Sequence, residues 1–174
     1  MKNLRLTQIF IFSLLMLSCS SDDSGGSNEP LNENPGINAT IDGGTYNNYT
    51  YTDGIYEITY SETNSTMSIN AADTTGDQIT LFLNSTGGFS SDTVKIMGDT
   101  DSNNYRTYVL IRQASTQKSY YSTSGNVTIT ENRNHPTESG IRLVSGTFDI
   151  SASTTDNSDS TTFIGSFTEL EYEN

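Results

Sequence analysis

Residues 105–112, Tyr105-Arg106-Thr107-Tyr108-Val109-Leu110-Ile111-Arg112, set Tyr105, Thr107, Val109 and Ile111 against Arg106, Tyr108, Leu110 and Arg112. Side chains that alternate with period two belong to an extended strand with one buried face, whereas a helix would repeat near 3.6. The same alternation continues on both sides of this stretch. Ile37, Ala39 and Ile41 alternate with Asn38 and Thr40, and Met67, Ile69 and Ala71 with Ser68 and Asn70. Ile79, Leu81 and Leu83 share a face that leaves Phe82 on the other, and Val127 and Ile129 alternate with Thr128 and Thr130. No segment shows the i, i+3, i+4 apolar pattern of an amphipathic helix. The chain is all-β.

Turn residues punctuate these segments at Asp42-Gly43-Gly44, Asp53-Gly54, Thr75-Gly76-Asp77, Thr86-Gly87-Gly88 and Ser124-Gly125-Asn126. Asp53-Gly54, between Tyr49-Thr50-Tyr51 and Ile55-Tyr56-Glu57-Ile58, predicts a tight hairpin. Near the C-terminus Ile141 and Leu143 are odd-numbered, whereas Val144, Phe148, Ile150 and Ala152 are even. A parity switch beside Gly146 predicts a β-bulge or sharp bend, and the last strand, 162–172, reads as interrupted at Gly165. About nine or ten short strands predict a single antiparallel β-sandwich, with a closed or partly closed β-barrel as the alternative.

The chain starts differently. Lys2 and Arg5 precede an apolar run from Ile9 to Leu17, and Ser18 precedes Cys19, the only cysteine. The run is about half the roughly 20 residues that a spanning helix needs. It reads as an export signal, residues 1–18, with lipidation at Cys19. Two or three acyl chains, at about 0.8 kcal/mol per buried methylene, would anchor the protein durably to a membrane. Residues 19–36 read as a flexible acidic linker of Ser, Gly, Asn, Asp and Glu, and residues 37–174 as the β domain. Ser21-Asp22-Asp23 resembles the signals that send Bacteroidota lipoproteins to the exterior of the outer membrane.

The full chain carries 8 Lys+Arg against 21 Asp+Glu, a net charge of −13. Removing residues 1–18 takes away only Lys2 and Arg5 among the charges. Such a surface repels nucleic acid and anionic headgroups, so no nucleic-acid partner is expected and membrane contact would run through lipid alone. With Cys19 committed to lipid, neither a disulfide nor a thiolate site remains.

Three stretches together resemble one family: residues 37–43, Ile-Asn-Ala-Thr-Ile-Asp-Gly; residues 125–130, Gly-Asn-Val-Thr-Ile-Thr; and residues 145–152, Ser-Gly-Thr-Phe-Asp-Ile-Ser-Ala, with Gly165-Ser166-Phe167 beyond. They are similar to a family of small Bacteroidota lipoproteins built on a domain of unknown function. The resemblance implies an all-β domain in the cell envelope. It transfers no catalytic residue.

Candidate chemistry is sparse. His135, the single histidine, sits in the polar loop Asn132-Arg133-Asn134-His135-Pro136, without the partners that a zinc site or a serine triad requires. Asp99, Asp101 and Asn103 place oxygens on alternate residues, a spacing that wraps Ca²⁺, but Asn104 and Leu110 depart from an EF-hand loop. A plain turn explains the same residues, and calcium is the one cofactor to consider. Glu57 with Glu62, or Glu169, Glu171 and Glu173, supply carboxylates, but in a chain with 21 acids a pair of them carries no weight. No enzyme is expected.

Tyr46, Tyr49, Tyr51, Tyr56 and Tyr60 offer a platform on which a sugar ring could stack, although tyrosine is also a strand former and the chain has no Trp. Thr74, Thr93 and Ser160 lie in Asp-Thr-Thr, Asp-Thr-Val and Asp-Ser-Thr triplets that resemble bacterial O-glycosylation sites. The expected role is a non-enzymatic binding or interaction module, with a protein or glycan partner, on an outer-membrane lipoprotein. The alternative is a carbohydrate-binding accessory lipoprotein of a glycan-uptake system.

Overall fold

The computed structural model describes residue 31, residue 32 and residues 34–174. The leader, Cys19 and most of the linker lie outside the described residues. Among the described residues the nine strands are β1 (Gly36–Gly43), β2 (Tyr46–Ser61), β3 (Thr66–Asp73), β4 (Gln78–Leu83), β5 (Val94–Ile96), β6 (Tyr108–Gln113), β7 (Lys118–Asn134), β8 (Ile141–Ser153) and β9 (Ser160–Glu173). Every pairing is antiparallel. Eight strands run around a ring in the order β7-β6-β4-β3-β2-β1-β9-β8, and β8 returns to β7 to close it. The extra strand, β5, takes the part of the β7 edge that β6 leaves free, pairing Lys95 with Val127.

The barrel alternative is therefore the architecture, and the sandwich is not. Two expected turns explain the difference. Asp53-Gly54 is no hairpin: β2 passes straight through it for 16 residues, with a register shift between Asp53 and Ile55. Asp53 Oδ1 accepts the Ile37 amide at 2.7 Å, which ties the bulge to the neighbouring strand. Ser124-Gly125 likewise lies inside β7, a 17-residue strand with a bulge between Ser122 and Ser124. Bulges increase twist and let long strands coil around a closed barrel. Read as turns, they cut long barrel strands into short sandwich strands.

The parity switch at Gly146 is a bulge, with β8 changing register against β9 between Val144 and Gly146. Gly165 does not interrupt β9. It is a point of close approach, where an added Cβ would lie 2.2 Å from the Asn38 carbonyl oxygen and 2.8 Å from the Ala39 Cα.

Alternation around the ring fills the lumen. Ile37, Ile41, Ile69, Leu81, Val109, Ile111, Val127, Ile150 and Phe163 are among its fully buried members, in one continuous apolar cluster. Each such side chain contributes about 1.5–3 kcal/mol relative to exposure. An eight-stranded barrel is just wide enough for its inward side chains to fill it.

The two mouths differ. The upper one carries the β1–β2, β3–β4, β6–β7 and β8–β9 turns. The lower one carries the start of β1, the end of β9 and the long β4–β6 connection that contains β5. At the lower mouth the Asn32 amide donates to the Glu169 carboxylate, which also pairs with Arg133 at 2.5 Å. The chain thus joins the barrel at its lower end.

Candidate functional site

Side chains cap the packed lumen at both mouths, and at the lower one a cleft of about 600 Å³ opens over Tyr60, Phe89, Asn132, Arg142 and Tyr172. At the upper one, the Tyr46 hydroxyl donates to Asp77 Oδ2 at 2.9 Å and the Tyr49 hydroxyl donates to Asp73. Asp73 Oδ1 also accepts the Thr75 and Asp77 amides at 2.9 and 3.0 Å. Burial works against its charge, but the bond from Tyr49 and those from Thr75 and Asp77 outweigh it and hold the carboxyl below its ordinary range. The Tyr120 ring packs 6.0 Å from Tyr46, and the Tyr120 hydroxyl accepts the Thr45 amide at 3.1 Å.

At the lower mouth, Lys95 points inward from β5, 2 % exposed, and donates to the carbonyls of Asn84 and Thr86 at 2.8 and 2.7 Å. Phe89 meets Tyr60 edge-on at 6.0 Å, and Tyr60 packs 5.7 Å from Tyr172.

All five candidate tyrosines lie on the inward face of β2, in register with inward residues of its neighbours. Tyr46 and Tyr51 belong to the core at 5 % and 0 % exposure, and Tyr49, Tyr56 and Tyr60 are half-buried against it. They do not form an outward platform. Burial raises the pKa of Tyr46 and Tyr51 well above the usual phenol range, and Asp77 beside Tyr46 and Asp73 and Asp53 near Tyr51 add to the rise. The Tyr51 hydroxyl is buried with no hydrogen-bond partner.

Asp101 is a loop clasp. Its carboxylate accepts the Asn103 and Tyr105 amides, both at 2.9 Å, the Ser85 amide at 3.1 Å and the Ser85 hydroxyl at 2.7 Å. Burial opposes its charge, but the bonds from Ser85, Tyr105 and Asn103 outweigh that and hold its pKa below the usual carboxylate range. Asp99 and Asn103 are exposed. Among the described residues no group of three or more His, Cys, Asp or Glu could hold a metal ion. An incoming Ca²⁺ would have to compete with four donors for Asp101.

His135 is 7 % exposed, more firmly held than its polar loop suggests. Its Nδ1 accepts the Glu138 amide at 2.9 Å, and its Nε2 lies 3.7 Å from Glu171. The nitrogen nearest a hydroxyl, Nδ1 at 3.4 Å from Thr137 Oγ1, already accepts from the Glu138 backbone amide. Thr74 and Ser160 are exposed, on the β3–β4 turn and the first residue of β9, and Thr93 is half-buried just before β5.

The outer wall is a further feature. Register places its outward side chains in rows across the strands. One row runs Thr59, Ser68, Phe82 and Tyr108 from β2 through β3 and β4 to β6. The next runs Glu57, Asn70, Thr80, Leu110 and Tyr121, reaching β7. The third runs Ile55, Ala72, Gln78, Arg112 and Ser119.

Phe82 and Tyr108 stack on this outer face with centroids 5.3 Å apart and planes 16° apart, and Tyr105 lies 6.2 Å from Phe82. Thr80 Oγ1 donates to Asn70 Oδ1 at 2.9 Å, which leaves the Asn70 amide nitrogen near Ser68 Oγ at 3.4 Å. A groove of about 330 Å³ opens along this wall between Ile55 and Glu57 of β2 and Gln78 and Thr80 of β4, over Asn70 and Ala72 of β3. Sequence reading missed this site. Its signal was an aromatic on the face opposite the apolar one, Phe82 among Ile79, Leu81 and Leu83, and Tyr108 opposite Val109 and Ile111.

Comparison with family models, with curated proteins and with solved structures returned no match.

Proposed function

We propose that this chain is a lipid-anchored envelope protein, displayed outward from the outer membrane, whose barrel serves as a non-enzymatic binding module through its side wall and not its lumen. The observation that carries the wall reading is the pair of capped mouths. The lumen is packed with Ile, Leu, Val and Phe and capped by Tyr46–Asp77 above and Lys95 with Phe89 below, so that the open cleft of about 600 Å³ over Tyr60, Phe89 and Tyr172 lies outside the packed core. The outer wall from β2 to β7 offers outward aromatic and amide groups instead, with Tyr108 exposed and Phe82 and Asn70 half-buried.

The anchored reading is supported by Lys2, Arg5, the Ile9–Leu17 run and Cys19. The described chain enters the barrel at the lower mouth, beside Asn32 and Glu169, away from the side wall and the upper mouth. The non-enzymatic reading is supported by His135, whose Nδ1 already accepts a backbone amide.

Metabolic labelling with an alkynyl fatty acid tests the anchor. Label on the wild-type chain and none on Cys19→Ala supports it, and an unlabelled wild type overturns it. Protease added to intact cells tests display: loss of the barrel epitope supports outward placement, and full protection overturns it.

A further inference from the structure

We propose that the groove over β3, with the Phe82–Tyr108 ridge beside it, binds an uncharged oligosaccharide chain. This deepens the outer-wall reading and rests on it. A pyranose ring has two chemical faces to satisfy: an apolar face of C–H groups, and a rim of hydroxyls that both donate and accept. The wall supplies both within neighbouring strands, which lie about 4.8 Å apart. Phe82 and Tyr108 provide stacked rings with Tyr108 39 % exposed. One row on, Asn70 and Thr80 hold each other by a 2.9 Å bond, which fixes their orientation before any ligand arrives.

The floor is shaped for a chain. Ser68, Asn70 and Ala72 are outward neighbours along β3, all small or short, while the flanking strands carry Phe82 on one side and Ile55 and Glu57 on the other. Five residues of strand, from residue 68 to residue 72, extend about 13 Å at the rise of a β-strand. That is a track for a short oligosaccharide, not a cup for one small molecule.

Charge selects among the occupants. The three rows across this wall contain one anion, Glu57, and one cation, Arg112, so the patch is neutral on a chain of net charge −13. Polyanionic glycans and nucleic acids are repelled by the surroundings, and a second copy brings the same −13 to the encounter. A neutral polyol meets no such opposition.

The test is native affinity electrophoresis of the full-length chain in mild detergent, through gels containing β-glucan, xylan, mannan or α-glucan, alongside sedimentation of the same samples. Tyr108→Ala and Asn70→Ala both replace outward side chains, so circular dichroism should match wild type; Tyr108→Thr serves where Tyr108→Ala does not fold. Ile164→Ala, exposed on β9, is the control. The expected result is retardation by at least one polysaccharide, weakened at least tenfold by the Tyr108 and Asn70 substitutions and unchanged in Ile164→Ala. No retardation by any of the four overturns the glycan assignment, and Tyr108-dependent self-association would then keep the wall as a binding face for a second copy. Retardation that survives both substitutions overturns the wall reading itself.

Discussion

The ammonium of Lys95 lies 4.1 Å from the centroid of the Phe89 ring, inside the lower mouth and without a carboxylate in direct contact. Two carbonyls and a ring face hold the charge in place of an anion. Burial brings its pKa down to about 8, with Asp101 offsetting part of the fall.

Stability should therefore rise with pH through this residue. The folded chain releases the Lys95 proton near pH 8, whereas the unfolded chain keeps it to about 10.4. Across that interval the unfolded state binds more protons, so the folded state gains. Urea midpoints measured from pH 7.5 to 9.5 should climb in wild type and stay flat in Lys95→Met. That variant should be weaker at pH 7.5 by about 1–3 kcal/mol, because the Asn84 and Thr86 carbonyls lose their donor.

Above pH 10 the sign reverses. Burial, with Asp77 beside Tyr46 and Asp73 and Asp53 near Tyr51, raises both phenols in the folded state, so each stays protonated where the unfolded chain ionises. Stability contributed by these tyrosines is complete below pH 10 and drains away as pH rises beyond it. The tyrosinate absorbance owed to Tyr46 and Tyr51, read as the difference between wild type and the Tyr46→Phe/Tyr51→Phe double variant, should appear in one cooperative step coincident with unfolding.

Tyr51 and Tyr46 should respond oppositely to loss of the hydroxyl. The Tyr51 oxygen is buried with no partner, so Tyr51→Phe should stabilise the barrel by about 1 kcal/mol. The Tyr46 hydroxyl donates to Asp77 at 2.9 Å, so Tyr46→Phe should cost about 1–3 kcal/mol. Urea denaturation of the two variants at pH 7 checks the contrast.

Gly125 follows directly on the bulge between Ser122 and Ser124 that lets β7 wrap the barrel, and pairs with Ile150 of β8. Its φ is +109°, and an added Cβ would sit 2.1 Å from the Asp149 carbonyl oxygen. Gly125→Ala should cost well over 1 kcal/mol or abolish folding. Gly88, also at positive φ but with open space around its Cβ, should tolerate alanine at about 1 kcal/mol. Thermal melts of the pair separate barrel closure from plain turn strain.

Asp101 should behave as a structural clasp. Because hydrogen bonds lower its pKa in the folded state, its contribution is present above the unfolded carboxylate pKa and is lost as pH falls below it. Asp101→Ala should lower the melting temperature at pH 7 more than at pH 3. Millimolar calcium should leave the wild-type melting temperature unchanged, since Ser85, Asn103 and Tyr105 already occupy the carboxylate.

What the sequence makes legible here is periodicity. The inward residues of β1, β3, β4 and β6 follow directly from alternation, and the bulge at Gly146 from a parity change. Closure was not legible, because it depends on whether Gly54 and Gly125 end a strand or bend it. Asp-Gly and Ser-Gly serve either purpose, and only the neighbouring strand decides: Asp53 is held by the Ile37 amide of β1. The site failed for a related reason. The five tyrosines were read by composition, but the bulge at Gly54 keeps Tyr51 and Tyr56 on one inward face although their numbers differ in parity. Phe82 and Tyr108 become neighbours only through the β4–β6 register, across a connection of 24 residues.

If the filled barrel works through its outer wall, as proposed, ligand contacts fall on the β2–β6 face and not in the lumen. Backbone and side-chain amide NMR shifts, recorded while titrating a soluble oligosaccharide of whichever polysaccharide retards the chain, test it most directly. Shifts should be confined to Ser68, Asn70, Thr80, Phe82 and Tyr108, with Tyr51, Ile69 and Val109 still. Shifts centred on those lumen residues, with Asn70 and Tyr108 unmoved, would contradict it.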